Sequence, residues 1–241
     1  RLDAQGVSVR TGTTVRELRA SSGGVAAKLS DGDEVAAECC LVAVGQQPNI
    51  ESLRLSTAGV AVGRGVTVDP FLRTSQPHIA AIGDCLEGHG LAHWASAEGV
   101  CAVHSLLGDA DEGPSVNEVP RVAFTDPEIA HVGLTASEAG ELLRVSRLSF
   151  GALGKSHCDG DTEGFVKLMI DPATDRIRGA TIVGTDASHL IHYAVVAMQH
   201  GLTAKQLART ITAHPTLPEA ITEAAAQLYG ASLVVASRQP A

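Results

Sequence analysis

Positive charge is in short supply in this chain of 241 residues: Lys and Arg number 18 against 27 Asp and Glu, a formal net charge of −9. So acidic a surface offers no footprint for phosphate backbones, which excludes nucleic acid and anionic membrane surfaces as expected partners. No uncharged apolar run approaches the ~18 residues of a membrane-spanning helix. The opening Arg1-Leu2-Asp3-Ala4-Gln5-Gly6 also lacks the basic-then-apolar order of a signal peptide. A soluble, cytoplasmic protein is expected. Paired cysteine motifs are missing too: the five cysteines, at 39, 40, 85, 101 and 158, form no C-x-x-C and no zinc-like spacing. They read as reduced thiols, most of them small core hydrophobes. Cys39 and Cys40 are neighbours in an expected strand, where their side chains would point to opposite faces.

Two catalytic signatures are absent as well. No G-x-S-x-G announces a serine nucleophile. Gly63-Arg64-Gly65 runs into Val66-Thr67-Val68 without the third glycine of a dinucleotide phosphate loop. His189 and His192 lie three apart on an expected helix but have no third ligand, so no metal site is predicted.

What is present is a composition of 44% apolar and 19% charged residues. It suffices to bury roughly 70–75% of the unfolded surface in one large core or two modest ones. The first residue is Arg rather than Met and the residues after it read as the middle of a domain, so the chain is expected to be a C-terminal fragment. Polar-apolar alternation over residues 6–15 and 25–29, with turn chemistry at Ser30-Asp31-Gly32-Asp33, predicts a β meander. The runs Leu41-Val42-Ala43-Val44-Gly45 and Ile79-Ala80-Ala81-Ile82 predict strands buried on both faces of a parallel sheet. Residues 92–107 read as a helix stopped by Gly108, and the acidic stretch 109–118 reads as a linker.

Beyond it the pattern changes to strands at 119–125, 129–135, 163–171 and 177–185. Thr135-Ala136-Ser137-Glu138 and Thr203-Ala204-Lys205-Gln206 are capping boxes. Helices are predicted at 187–200 and 218–229. His157-Cys158 falls in an expected exposed loop rich in Gly and Asp. This half reads as α+β, an antiparallel sheet with helices on it.

Two places could carry chemistry. Gly83-Asp84 ends an apolar strand, putting a carboxylate at a sheet edge where α/β folds bind nucleotides. Leu91-Ala92-His93 comes next at a helix start, whose free N–H groups could face a partly anionic ring. The second place is His214-Pro215-Thr216-Leu217-Pro218-Glu219. Pro215 biases His214 to an extended backbone on a corner before a helix. An imidazole with a carboxylate partner suits proton transfer near neutral pH. Thr216-Leu217-Pro218-Glu219 is equally a T-x-x-E capping box, in which Glu219 serves only the helix end. From the residues alone both readings stand.

Five segments occur in the order of one family. They are Val42-Ala43-Val44-Gly45-Gln46-Gln47-Pro48-Asn49, Thr74-Ser75-Gln76-Pro77-His78-Ile79-Ala80-Ala81-Ile82-Gly83-Asp84, Val119-Pro120-Arg121-Val122-Ala123-Phe124-Thr125-Asp126-Pro127-Glu128, Thr162-Glu163-Gly164-Phe165-Val166-Lys167 and the His214–Glu219 phrase. Over essentially its whole length the sequence resembles the C-terminal half of the class I pyridine nucleotide-disulfide oxidoreductases, the flavoprotein disulfide reductases. Gly90-Leu91-Ala92-His93, Glu98-Gly99 and Ala213-His214-Pro215-Thr216 are most similar to its dihydrolipoyl dehydrogenase branch.

The resemblance implies an α/β plus α+β fold. Remnants of FAD- and NAD(P)-binding Rossmann-like domains (1–44 the tail of the NAD domain, 45–117 a returning FAD segment) would precede an interface or dimerisation domain at 118–241. It implies FAD and NAD as cofactors, a homodimer, and a small dithiol or lipoyl-domain substrate, dihydrolipoamide. Asp84, with Gly83, would bind the FAD ribityl chain. Leu91, Ala92 and His93 would lie against the flavin ring, and Gly45 and Val15 would approach NAD. His214 would take the substrate thiol proton, with Glu219 orienting it.

The family's redox-active C-x4-C and both phosphate loops are absent. The stretch Lys155-Ser156-His157-Cys158-Asp159-Gly160-Asp161 is closer to mercuric-reductase-like relatives. The alternatives carried are a mercuric-reductase-like, glutathione-reductase-like or transhydrogenase member, or, for the chain alone, a dimerisation module without activity.

Overall fold

The computed structural model describes residues 1–88, 90–109, 115–139 and 142–236. Strands β1 (Val15–Ser21), β2 (Gly24–Leu29) and β3 (Glu34–Ala37) form an antiparallel meander in that order. The β2–β3 turn is closed by Leu29 N–H donating to Asp33 O at 2.8 Å and by Asp33 N–H donating to Asp31 Oδ1 at 3.1 Å. That is the self-bonding turn chemistry expected of Ser-Asp-Gly-Asp. Alternation over residues 6–14 does not become a strand; the ladder starts at Val15, the first residue with a β2 partner, Leu29.

The two apolar runs expected as parallel strands are not strands either. Leu41 and Val44 are 90% and 91% exposed. Residues 79–82 make one isolated bridge, Arg73 with Ala80. A strand buried on both faces needs a neighbour on each edge to take its N–H and C=O groups. None of the described residues supplies those neighbours here, and an apolar run does not encode them.

Helix α1 (Ala92–Leu107) turns Glu98, Cys101, Ala102 and Ser105 inward, spaced as one helical face, onto a small core of Val60, Val66, Leu72 and Leu86. Gly108, at φ 84, closes it by donating to His104 O and Ser105 O. Arg73 ties the segment before α1 to this end, donating from Nε to Ser105 Oγ at 2.8 Å. Of the expected 109–118 linker, residues 110–114 lie outside the described residues.

The larger core belongs to a five-stranded antiparallel sheet, order β4-β5-β8-β7-β6. It is built from β4 (Arg121–Ala123), β5 (Ile129–Gly133), β6 (Arg144–Ser149), β7 (Phe165–Ile170) and β8 (Ile177–Val183). Helices α2 (Ala136–Ala139), α3 (Gly154–Asp159), α4 (Ala187–Gln199), α5 (Ala204–Ala208) and α6 (Glu219–Gln227) complete it. Leu148, Val166, Leu168 and Ile182 from the sheet meet Leu190 and Ile191 of α4 and Ile221 of α6 in one buried cluster. Ala220, Ala224 and Ala225 let α6 lie close, and Ser146 Oγ donates to Ala224 O at 2.6 Å across the contact. Both predicted capping boxes form: Thr135 with Glu138, and Thr203 with Gln206.

Strand β6 and helix α3 were not expected. β6 alternates, but one of its inward positions is Ser146, which blurs the pattern. α3 replaces the expected loop at His157-Cys158. Its six residues fall far below the length at which a helix is legible from propensity, and it is held by its packing and a Lys155–Asp159 pair at 2.6 Å. The cysteine expectation is also corrected: only Cys101 is buried, Cys85 is intermediate, and Cys39, Cys40 and Cys158 are exposed. Cys39 and Cys40 lose their burial with the strand that does not form at residue 41, and Cys158 faces out from α3.

Candidate functional site

Asp84 stands in a short 3-10 turn, Gly83–Cys85, that comes directly after the extended residue Ile82. Gly83 adopts φ 70, a left-handed conformation that favours glycine. Its N–H donates to Glu98 Oε2 of α1 at 2.7 Å. Asp84 borders a cavity of about 790 Å³ together with Gln46, Asn49, Arg64, Glu87 and Gly90. Gly90, at φ 57, is the cradle of this cavity, since a Cβ there would fall 3.3 Å from Gln46 Oε1 and 4.0 Å from Asp84 Oδ1.

Leu91 opens α1 without a capping side chain, so the first-turn N–H groups of α1 are left to a ligand or solvent. His93 is turned aside: its Nε2–H donates to Pro120 O at 2.8 Å, linking α1 to the segment before β4. Gly45 has φ 122 at the end of the apolar run, and Val15 opens β1; both are exposed, and neither borders the cavity.

The second cluster lies on the corner before α6. His214 Nδ1–H donates to Glu219 Oε1 at 2.9 Å, while Thr216 N–H donates to Glu219 Oε2 at 2.8 Å. Thr216 Oγ1 turns the other way, to Ala213 O at 2.6 Å, and so does not return a bond to the N–H of Glu219. The two readings of this motif are thus not exclusive: one oxygen caps the corner and the other orients the imidazole.

Glu219 is largely buried, its side chain 16% exposed, whereas that of His214 is 75% exposed, leaving Nε2 free to meet a ligand. With Nδ1 protonated by its bond to the carboxylate, Nε2 is the basic nitrogen. A Cβ on Gly154 would sit 3.8 Å from His214 Cε1, so the start of α3 lies beside the ring. A groove of about 460 Å³ runs behind this corner, bordered by Lys155, Asp159, Asp186, His189, Tyr193 and Leu217. The hydrogen bond from Lys155 to Asp159 holds its ammonium above the usual lysine range.

The structure brings together Asp84 with Gly90, and His214 with Glu219, but His214 does not border the Asp84 cavity. Gln46, Asn49, Arg64 and the buried Glu98 were missed as site residues. The turn chemistry of Gln46-Gln47-Pro48-Asn49 was a usable signal for the first two; a carboxylate on the inner stripe of α1 was the signal for Glu98. Among the described residues no group of three or more His, Cys, Asp or Glu could hold a metal, and no helix is long and apolar enough to cross a membrane.

An α/β segment succeeded by an antiparallel α+β sheet, with a carboxylate-lined cavity on the first and a His–Glu dyad on the second, gives the chain a two-part organisation. The pyridine nucleotide-disulphide oxidoreductase family matches residues 1–99, and its dimerisation domain matches residues 119–225. The chain belongs to this family.

Among its relatives, the dihydrolipoyl dehydrogenase of Chlorobaculum tepidum is 41% identical over 228 residues, 91% of this chain and 49% of that protein. The dihydrolipoamide dehydrogenase of Chaetomium thermophilum is 36% identical, covering 96% of this chain and 48% of its own length. The crystal structure of LpdA from Mycobacterium tuberculosis superposes with a TM-score of 0.87 at 31% identity, over 94% of this chain and 50% of that one. The HOCl-induced flavoprotein disulfide reductase RclA of Escherichia coli gives 0.83 at 26% identity, over 92% of this chain and 52% of its own. The chain spans about half the length of the relatives it matches.

Proposed function

We propose that the chain forms part of an FAD-dependent oxidoreductase that passes electrons between a dithiol, dihydrolipoamide, and NAD. The observation that carries this reading is the His214–Glu219 pair at 2.9 Å, with the carboxylate pinned by Thr216 N–H. Nε2 of His214 accepts the proton of a substrate thiol, leaving the thiolate, which is the species able to attack a disulfide. The imidazolium that results is stabilised by Glu219 Oε1 on its other nitrogen.

The residues present fit part of a flavin: Asp84 faces a cavity cradled by Gly90, and α1 opens without a capping side chain. Asp84, next to Gly83, would accept from ribityl hydroxyls, and the backbone at Leu91, Ala92 and His93 would meet the ring edge. A bound flavin supplies the two-electron relay to NAD, which Val15 and Gly45 would approach. The phosphate ends of these cofactors need glycine-rich loops that this chain does not contain.

Residues 1–44, 45–117 and 118–241 are taken as NAD-domain tail, FAD segment and interface domain, the last pairing two copies as a homodimer. A cytoplasmic location goes with this reading, and the partner is a small dithiol or a lipoyl domain.

The experiment is to purify the full-length protein, record the flavin absorbance near 450 nm, and assay dihydrolipoamide oxidation with NAD against glutathione disulfide and mercuric ion reduction. Flavin with dihydrolipoamide turnover supports the reading. Flavin with turnover of only the other two acceptors moves the substrate, and a colourless protein ends the proposal.

A further inference from the structure

We infer that Glu98 is a positioning residue for the flavin site, its buried carboxylate holding the turn that aims Asp84 into the cavity. This inference rests on the flavin reading proposed above. Glu98 lies in the middle of α1 with its side chain turned inward, 5% exposed. A polar side chain is retained in such surroundings only when hydrogen bonds replace its water. The bond it makes is to the backbone: Oε2 accepts from Gly83 N–H at 2.7 Å, the residue immediately before Asp84.

Ala95, Glu98 and Gly99, at helical positions i, i+3 and i+4, form one face of α1 against the 82–83 segment. A Cβ on Gly83 would meet Ala95 Cβ at 3.1 Å, and a Cβ on Gly99 would meet Ile82 Cδ1 at 3.4 Å. Sterics therefore set how close the turn comes to α1, and the Glu98 bond sets its rotation. From there the turn runs on internal bonds, Leu86 N–H to Gly83 O at 2.9 Å and Cys85 Sγ–H to Ile82 O at 3.1 Å.

Asp84 makes none of these bonds, so its carboxylate direction is set by the Gly83 backbone. Removing the acceptor frees the Gly83 N–H and lets Asp84 swing, and misplacements of an ångström at a binding group are costly.

The test uses the flavin-loaded full-length protein and its apo form. Glu98→Ala is expected to raise the FAD dissociation constant about ten- to a hundredfold, the range for a buried donor left without its acceptor. Glu98→Gln keeps an acceptor oxygen in the same place and should stay within about threefold of the parent. In an Asp84→Ala background, Glu98→Ala should cost little further, because Glu98 acts through Asp84; a merely structural residue would add its full effect.

Hydrogen exchange at the Gly83 amide of the unaltered holoenzyme, expected to be slow, gives a readout that does not depend on any variant folding. Unchanged flavin affinity in Glu98→Ala, a Gln variant no better than Ala, additive losses in the double variant, or free exchange at Gly83 would each overturn the inference. An unaltered protein that takes up no flavin overturns the reading beneath it as well.

Discussion

His214 and Glu219 stand 2.9 Å apart, Nδ1 to Oε1, on the corner that leads into α6, and the second oxygen of Glu219 is occupied by Thr216 N–H. One carboxylate therefore does two jobs that the T-x-x-E motif presented as alternatives. Because the side chain is anchored at Oε2, Oε1 is pre-aimed, and the exposed imidazole is left with one basic nitrogen directed outward.

Replacing His214 by Gln removes that nitrogen while keeping a polar side chain of similar reach. On the function proposed above, dihydrolipoamide turnover by the full-length protein should fall by the roughly 10²–10⁴-fold expected of a lost general base, with flavin content unchanged. Steady-state rates near those of the parent would remove His214 from the reaction.

Glu219→Ala strips the acceptor from two donors at once. It should lower stability by about 1–2 kcal/mol in urea unfolding, from the uncapped Thr216 N–H, and lower turnover by tenfold or more from the unoriented imidazole. Glu219→Gln offers one acceptor oxygen and one amide donor, so it can satisfy only one of the two groups. It should recover part of the stability and little of the rate. Recovery of both would mean that the carboxylate does not orient His214.

Acid sensitivity has a local source at Asp161. The Thr185 hydroxyl, donating to Oδ2 at 2.5 Å, holds this carboxyl below the usual carboxylate range, with Arg1 assisting. A pKa depressed on folding stabilises the native state above the unfolded value of about 4 and loses that contribution as pH falls through the folded value. Thr185→Val keeps the shape and removes the donor. Its loss of stability between pH 5 and about pH 2 should be shallower than that of the parent, as read from urea midpoints at each pH. Superimposable profiles would show that the hydroxyl does not set the Asp161 pKa.

Gly179, in the middle of β8, has no room for a side chain, since a Cβ would fall 2.2 Å from Leu134 O. Gly179→Ala must push the β5–α2 connection off the sheet, an overpacking cost of about 1–3 kcal/mol. Thermal unfolding should show it, whereas the same change at exposed Gly88, which has nothing within 4 Å, should not.

The second half of the chain was largely legible. Its sheet strands carry apolar residues between turn residues, two of its helices, α2 and α5, open with Thr-x-x-Glu and Thr-x-x-Gln boxes, and both kinds of signal depend on neighbours within a few residues. Strand β6 escaped because Ser146 occupies an inward position, satisfied by Ala224 O from a distant helix. Helix α3 escaped because six residues carry too little periodicity. The first half misled where burial was assumed: residues 41–44 have the composition of a central strand, yet they remain exposed because a strand is completed by its neighbours.

The sequence by itself determined the acidic balance, the strand-and-helix pattern of the second half apart from β6 and α3, the two capping boxes and the presence of His214, Glu219 and Asp84, all of which are properties of composition or of residues close along the chain. Only the tertiary structure decided that Glu219 divides its oxygens between Thr216 and His214, and that a carboxylate from α1 fixes the turn beside Asp84. It also decided that neither apolar run becomes a strand of the described sheets. Each of these depends on distances between segments, and hydrogen bonds and strand pairing form only where the folded chain brings donor and acceptor within about 3 Å of each other.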